Sequence, residues 1–338
     1  MYVDIVGGGV GGLSTAITLR RLDKSIAVTV HEKHRTIGYN PEGRRCAEGY
    51  IWYPDLPEWG PPSDCVYTVI KDQELVLGGT SYNPPIDPRL LATVIINKQR
   101  FIARLGSQAQ ELGVDVRTHN AITKVSQLDG HYIVDASGCP SLLRKDLGFP
   151  VERAAKSYQQ TLEEANVFLA DTVRFFFKNS LGYYWIFPRD TAKREINLGI
   201  GVLDPSYGSP KELLSAFKQE LGIQGVVNHV TGGLIPIGLQ KPLRHDNIVF
   251  VGDAGVGTFP FSGEGTPRAI LSGIIAARCI ASEKPQRYPP LIKQEFLMWD
   301  LIGKTFLKAG RALQKIGDGA NNLYLHSVFR SFLLPALF

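Results

Sequence analysis

The stretch YVDIVGGGVGGLSTAITLRRL, residues 2–22, decides the fold. Tyr2 to Val6 is a short apolar run with the length of a strand, glycines turn the chain after it, and Leu13, Ile17 and Leu19 begin an apolar helical face. The turn fits G-x-G-x-x-G at Gly7, Gly9 and Gly12. The first glycine allows a tight turn, the second lets backbone approach a pyrophosphate, and the third lets helix and strand pack closely. The helix then presents N–H groups and the positive end of its dipole to phosphate. A glycine turn alone is a weak signal, but SIAVTVHEK (25–33) supplies a second strand ending at Glu32, twenty residues after Gly12. A carboxylate there accepts hydrogen bonds from the hydroxyls of an adenosine ribose. The whole unit points to a dinucleotide without saying which one.

With 338 residues the chain is long enough for two domains, or for one large domain carrying an insertion. The hydrophobic fraction of 44% and charged fraction of 20% are those of a soluble globular protein. A net charge of +5 is too mild to argue for a nucleic-acid partner. Cys46, Cys65, Cys139 and Cys279 form no CxxC pair, so no disulfide framework, zinc site or iron–sulfur site is expected, and no metal. There is no apolar run of membrane-spanning length and no charged and apolar leader, so a cytoplasmic protein is the expectation.

Two further segments repeat the grammar of strand, glycine and acid. YIVDASGCPSLLRKDLG (132–148) runs into Asp135 and Gly138, and NIVFVGDAGVGTFPFSGEGTPRAILSG (247–273) runs into Gly252 and Asp253 and then a glycine-rich loop before a helix. Three such strand ends in this order resemble the FAD-dependent family that includes para-hydroxybenzoate hydroxylase and, more closely, the geranylgeranyl reductases of archaea and plants, over nearly the whole chain. The resemblance implies FAD as cofactor, with Gly7, Gly9, Gly12 and Glu32 holding its ADP half and Asp253, after Gly252, holding the ribityl chain. It also assigns Arg100 to the cofactor, Asp135 and Gly138 to positioning cofactor and strand, and Pro260, Gly263 and Gly265 to the segment under the pyrimidine edge of the flavin. RRCAEGY (44–50) resembles the cysteine-bearing loop of archaeal members, which implies that Arg45 and Cys46 lie near the flavin. No second G-x-G-x-x-G is present to house a nicotinamide cofactor, so the electron donor is left open between NADPH and ferredoxin.

Between the motifs the texture changes. CVYTVIKDQELVLGG (65–79) reads as a hairpin, and residues 165–203 as successive strands with polar turns near 178–182 and 189–193. The expected fold class is therefore α/β, with a Rossmann-like FAD-binding domain (1–62, 88–150 and 236–285), an inserted antiparallel-sheet substrate domain (63–87 and 151–235) and a C-terminal helical segment (286–338). Within the insertion, GYYWIFP (182–188) sets four aromatic rings in five positions, and strand alternation puts Tyr183, Trp185 and Phe187 on one face, Tyr184 and Ile186 on the other. Spacing alone makes this an ordinary buried strand. The resemblance makes it the Y-x-W-x-F-P signature, implying that Tyr183, Tyr184, Trp185, Phe187 and Pro188 bind substrate and that Cys46, Tyr183 and Trp185 serve catalysis. The family usually carries a proline where this chain has Ser180.

The implied activity is saturation of isoprenoid C=C bonds on a prenyl lipid or prenyl diphosphate. The alternatives are an FAD-dependent aromatic hydroxylase on the same scaffold and a non-catalytic flavin or lipid carrier. Near the C-terminus, Ile292, Phe296, Trp299, Ile302, Phe306, Ala309, Leu313 and Ile316 recur at helical spacing beside Lys304, Lys308, Arg311 and Lys315. Such a helix either packs on the core or rests on anionic headgroups at the inner face of a membrane.

Overall fold

The computed structural model describes residues 1–38, 46–259 and 262–330, which fall into two units. Each unit is made of three separate stretches of chain, with the first drawn from 1–38, 98–154 and 234–303 and the second from 46–97, 155–233 and 304–330.

The first unit is the nucleotide-binding fold that the glycine turn announces. Its sheet has the strand order Arg244–His245, Ile248–Phe250, Tyr132–Asp135, Tyr2–Val6, Ala27–His31, Asp115–Arg117. Every pairing is parallel except the short edge hairpin. Parallel strands are covered on both faces, which explains why Val3, Ile5, Val30, Val134 and Val249 are all fully buried. Register aligns Val6 with Asp135 and Asp135 with Phe250, so three motif-bearing strands end at one level. Helix Val10–Leu22 packs against helix Thr266–Ala281 at the same end of the sheet. The approach depends on glycine, since a Cβ on Gly273 would stand 2.3 Å from Ser14 Oγ and 2.7 Å from the Gly11 carbonyl oxygen, and Gly11 itself faces the backbone of Gly252. The first glycine turn and the Gly252–Asp253 turn are thereby brought side by side.

The second unit is built on a seven-stranded sheet ordered Val226–Pro236, Ala154–Glu163, Ile196–Val202, Gly182–Pro188, Thr172–Asn179, Asp72–Leu77, Thr80–Tyr82. Its central strands pair antiparallel and Asp72–Leu77 runs parallel to Thr172–Asn179. One face is an apolar core in which Tyr184, Ile186, Leu198 and Ile200 meet Leu214 and Phe217 of helix Pro210–Glu220. A smaller antiparallel sheet is formed by Gly49–Trp52, Ala92–Ile96 and Val66–Val69.

Two sequence expectations change here, and one left open is narrowed. Residues 65–79 are not one hairpin: Val66–Val69 joins the small sheet, while Asp72–Leu77 joins the large one and makes its hairpin with Thr80–Tyr82 through Gly78 and Gly79, both at positive φ. Residues 46–62 and 88–97 belong with the second unit, where Ala92–Ile96 pairs with Gly49–Trp52 on one side and Val66–Val69 on the other. Helices Tyr288–Gln314 and Asp318–Val328 form the C-terminal segment, and of the two readings left open for its apolar stripe, burial of Ile292, Phe296 and Phe306 favours packing on protein for those residues. Trp299 of the same stripe is exposed, as are Met298 and Leu301 beside it.

Candidate functional site

In the first unit the glycines perform distinct steric tasks. Gly7 has φ +110°, and a Cβ there would lie 2.4 Å from the Ala136 carbonyl oxygen. At Gly12 a Cβ would lie 2.1 Å from the Gly7 carbonyl oxygen, so the turn closes only around hydrogen. Gly9 differs, because nothing stands within 4 Å of the place its Cβ would occupy. It is also the N-cap of helix Val10–Leu22, and no side chain caps that end. Open space beside uncapped N–H groups is what a pyrophosphate needs.

Glu32 closes the second strand with its carboxylate held in place. Gly8 N–H donates to Oε2 over 2.8 Å, His34 N–H donates to Oε1 over 2.9 Å, and His34 Nδ1 lies 2.6 Å from Oε1. Asp135 is fully buried and accepts from Ser137 N–H at 3.1 Å, from Ser137 Oγ at 2.7 Å and from the Ser141 hydroxyl. Burial raises its carboxyl above the usual range, against those hydrogen bonds. Its carboxylate therefore shapes the turn through Gly138, which has φ +91° and open space where a Cβ would be. Asp253 lies in the single turn Gly252–Ala254, and burial raises its carboxyl too, opposed by the charge of Lys98. Its side chain is partly exposed and no hydrogen bond reaches it among the described residues, so the carboxylate has an acceptor to offer a sugar hydroxyl. Gly263 (φ +69°) and Gly265 precede helix Thr266–Ala281, again with no side chain on the N-cap. Arg100 is an exposed residue in the first turn of helix Lys98–Glu111. These residues fit FAD: they can hold a pyrophosphate at Gly9, a ribose at Glu32 and a ribityl chain at Asp253. Arg45 and Pro260, the other two expected cofactor contacts, lie outside the described residues.

The second unit carries the aromatic strand, every residue of which is buried. Alternation holds, and it sets Tyr184 apart from its neighbours. Tyr184 stacks on Phe217 at 4.1 Å with 13° between the rings, which makes it part of the core rather than of a substrate-facing surface. On the opposite face Tyr183 stacks on Phe177 at 5.1 Å, Phe187 meets Phe175 edge-on at 5.1 Å, and the Tyr183 and Trp185 rings are 5.9 Å apart. Pro188 ends the strand opposite Ile196. Burial pushes the Tyr183 hydroxyl well above its usual range, so it stays protonated, and no hydrogen bond reaches it among the described residues.

Several residues that sequence reasoning passed over make this face possible. Trp185 lies opposite Gly199 and Tyr183 opposite Gly201 in strand Ile196–Val202. A Cβ on Gly199 would stand 2.2 Å from the indole ring, so the ring lies flat on the neighbouring backbone. Trp185 Nε1–H donates to Gln159 Oε1 at 3.1 Å, and Gln159 Nε2–H donates to the Cys46 carbonyl at 3.3 Å. Cys46 itself is exposed, with Glu48 N–H donating to its Sγ over 3.4 Å. The only sequence signal for Gly199 was a glycine alternating with apolar residues in a strand, which marks close approach by another group. The departure at Ser180 also has a physical reason. Ser180 N–H donates to Asn321 Oδ1 at 2.9 Å and Asn321 Nδ2–H returns to Ser180 Oγ at 3.0 Å, and proline has no N–H for the first of these bonds.

Among the described residues no group of His, Cys, Asp and Glu is placed to hold a metal, and no helix is long and apolar enough to cross a membrane.

Residues 5–50 match the NAD(P)-binding Rossmann-like domain family. A digeranylgeranylglycerophospholipid reductase of Methanocella arvoryzae is 30% identical over 156 residues, which is 44% of this chain and 39% of the relative, well under two thirds of its length. Another of that name, from Methanothrix thermoacetophila, is 25% identical over 96% of this chain and 90% of its own. Among solved structures, a geranylgeranyl bacteriochlorophyll reductase-like protein from Thermoplasma acidophilum superposes with a TM-score of 0.78 at 20% identity, covering 99% of this chain and 98% of that one. The likeness that the motifs carry thus extends along almost the entire sequence: this chain is similar to digeranylgeranylglycerophospholipid reductases and has the fold of a geranylgeranyl reductase-like protein.

Proposed function

We propose that the protein is an FAD-dependent reductase that saturates C=C bonds in isoprenoid chains of the geranylgeranyl type carried by membrane lipids. The observation that carries this reading is the conjunction, in a chain similar to digeranylgeranylglycerophospholipid reductases over 96% of its length, of a cradle that fits FAD with an aromatic strand laid flat on glycine. When bound and reduced, FAD supplies a hydride to one alkene carbon; a proton must reach the other. An isolated alkene has no carbonyl to absorb negative charge, so protonation leads or accompanies hydride arrival. Positive charge then develops on carbon, which the faces of Trp185 and Tyr183 stabilise through their ring quadrupoles. Tyr183 keeps its proton at any working pH because burial holds its hydroxyl above the usual range, which makes it a candidate donor alongside Cys46. Apolar surface supplies affinity at about 0.8 kcal/mol per methylene buried, so a long chain needs little polar recognition.

The test is anaerobic incubation of dithionite-reduced holoprotein with a geranylgeranyl glycerophospholipid, followed by mass spectrometry. The expected product gains about 2 mass units per bond reduced, as a two-electron carrier requires. A lipid unchanged in mass overturns the reading, and a parallel incubation in air with NADPH and an aromatic acceptor, in which a gain of one oxygen is sought, tests the hydroxylase alternative.

A finer part of the reading concerns where the substrate is met. The exposed Met298, Trp299 and Leu301, followed on the same helix by the exposed Lys308 and Arg311, support peripheral contact with an anionic membrane surface. Arg311 is partly engaged by Asp204. In vesicle flotation the protein is expected to rise with anionic liposomes at low salt and to be released at high salt, where screening shortens to about 3 Å at 1 M. Failure to float at low salt removes the membrane contact and leaves the reductase reading untouched.

A further inference from the structure

The segment Cys46-Ala47-Glu48 is held by several polar side chains, Gln159 and Asn197 from strands of the large sheet and Arg189 from just beyond the aromatic strand, while Ile96 N–H of the small sheet donates to the Glu48 carbonyl at 2.9 Å. Glu48 is 2% exposed and has φ +64°, a left-handed backbone that costs a residue with a Cβ about 1 kcal/mol or more. Its carboxylate lies 2.5 Å from Arg189 Nε, and Asn197 Nδ2–H donates to the same oxygen over 3.1 Å. The Arg189 guanidinium is shared: it also pairs with Glu195 and donates to the Tyr67 hydroxyl at 2.7 Å. Asn197 in addition donates to the Ala47 carbonyl at 3.3 Å and accepts from Thr161 Oγ1 at 2.9 Å. Gln159, 2% exposed, spans the remaining gap, with its amide N–H on the Cys46 carbonyl and its amide oxygen on the Trp185 indole. Glu48, Arg189, Glu195, Asn197 and Gln159 are all at least nine-tenths buried.

Burying two carboxylates and a guanidinium for stability alone is a poor bargain, because the desolvation penalty commonly matches the attraction gained. Such groups specify geometry well, since each buried atom has few other partners within reach. A strained Glu48 beside a cysteine, locked by a guanidinium at the end of the aromatic strand, has the character of a clamp on the position of that cysteine.

We propose that Glu48 and Gln159 are positioning residues that fix the Cys46 segment relative to Trp185, Glu48 acting through Arg189 and Asn197 and Gln159 through its two-ended amide. The role in turnover rests on the reductase reading above; the clamp itself does not.

Two variants test it. Glu48→Gln removes the charge that holds Arg189 while keeping an acceptor, and Gln159→Met removes both amide bonds at similar length. In ligand-free protein, hydrogen exchange followed by peptide mass spectrometry is expected to speed about tenfold across residues 46–50 in both variants and to stay unchanged in the strand Tyr2–Val6. With flavin and lipid, turnover per bound flavin is expected to fall about tenfold with KM within about twofold, the pattern for loss of alignment rather than of binding. Unchanged exchange across 46–50 in both variants overturns the proposal. Exchange that speeds throughout the chain in every variant that folds overturns it as well, by making the network a general stabiliser. If exchange responds as expected while the wild-type protein leaves the lipid unreduced, the clamp stands and the reductase reading falls.

Discussion

A Gly199→Val protein is expected to retain flavin and lose its reaction. The residue lies directly across from Trp185 in the ladder, and the position its Cβ would take is already filled by the indole ring. Valine forces the ring off the backbone of strand Ile196–Val202 and breaks its bond to Gln159. Overpacking of this kind costs about 1–3 kcal/mol, and displacement of a reacting surface by about 1 Å costs on the order of a hundredfold in rate. Thermal unfolding measures the first effect, and turnover per bound flavin, read by lipid mass, measures the second. The flavin cradle belongs to other stretches of chain, so flavin content should match wild type. Near wild-type turnover would remove the aromatic face from the mechanism.

The second large effect separates folding from cofactor binding within one turn. A Cβ on Gly12 meets the Gly7 carbonyl oxygen, whereas a Cβ on Gly9 meets nothing. Gly12→Val is therefore expected to give unstable, colourless protein. Gly9→Ala should unfold at the wild-type temperature, because Gly9 has φ −85° and an L side chain fits there. It should nevertheless bind FAD at least about tenfold more weakly, a difference of about 1.4 kcal/mol, since the added methyl fills the space beside the uncapped helix end. The flavin-to-protein absorbance ratio and a melting curve on each variant decide the matter. A yellow, fully loaded Gly9→Ala protein would move the pyrophosphate away from this turn.

What was legible in the sequence was what local sterics and periodicity dictate. Gly7 and Gly12 could be read because only glycine satisfies a tight turn and a close helix, Gly9 because a pyrophosphate needs bare backbone beside it, and the alternation of Tyr183 and Trp185 against Tyr184 follows from the pleat. The clamp residues were not legible. Gln159 and Asn197 stand in no motif, and nothing near them in sequence shows that their partners are Cys46 and Glu48, more than a hundred residues away. Ser180 looked like a flaw in a motif because its partner, Asn321, lies on a C-terminal helix. The hairpin at 65–79 failed for a related reason: Val66–Val69 and Asp72–Leu77 each alternate like paired strands, and only the presence of two sheets separates them. The helical stripe at Ile292, Phe296 and Phe306 is real, yet periodicity cannot distinguish a helix facing its own core from one facing lipid.

The threading of the chain through its two units constrains how the protein is made. The central nucleotide strand, Tyr2–Val6, is flanked in the finished sheet by Ala27–His31 and Tyr132–Asp135, and Ile248–Phe250 lies beyond the latter. As the ribosome extends the polypeptide from its first residue, neither body can be completed until stretches beyond residue 233 have emerged. At about 5–20 residues per second, an unfinished apolar sheet waits for many seconds with its surface uncovered, where other nascent chains compete for it. Output in a recombinant host will accordingly follow the supply of chaperones that shield such intermediates more closely than it follows the melting temperature of the finished protein.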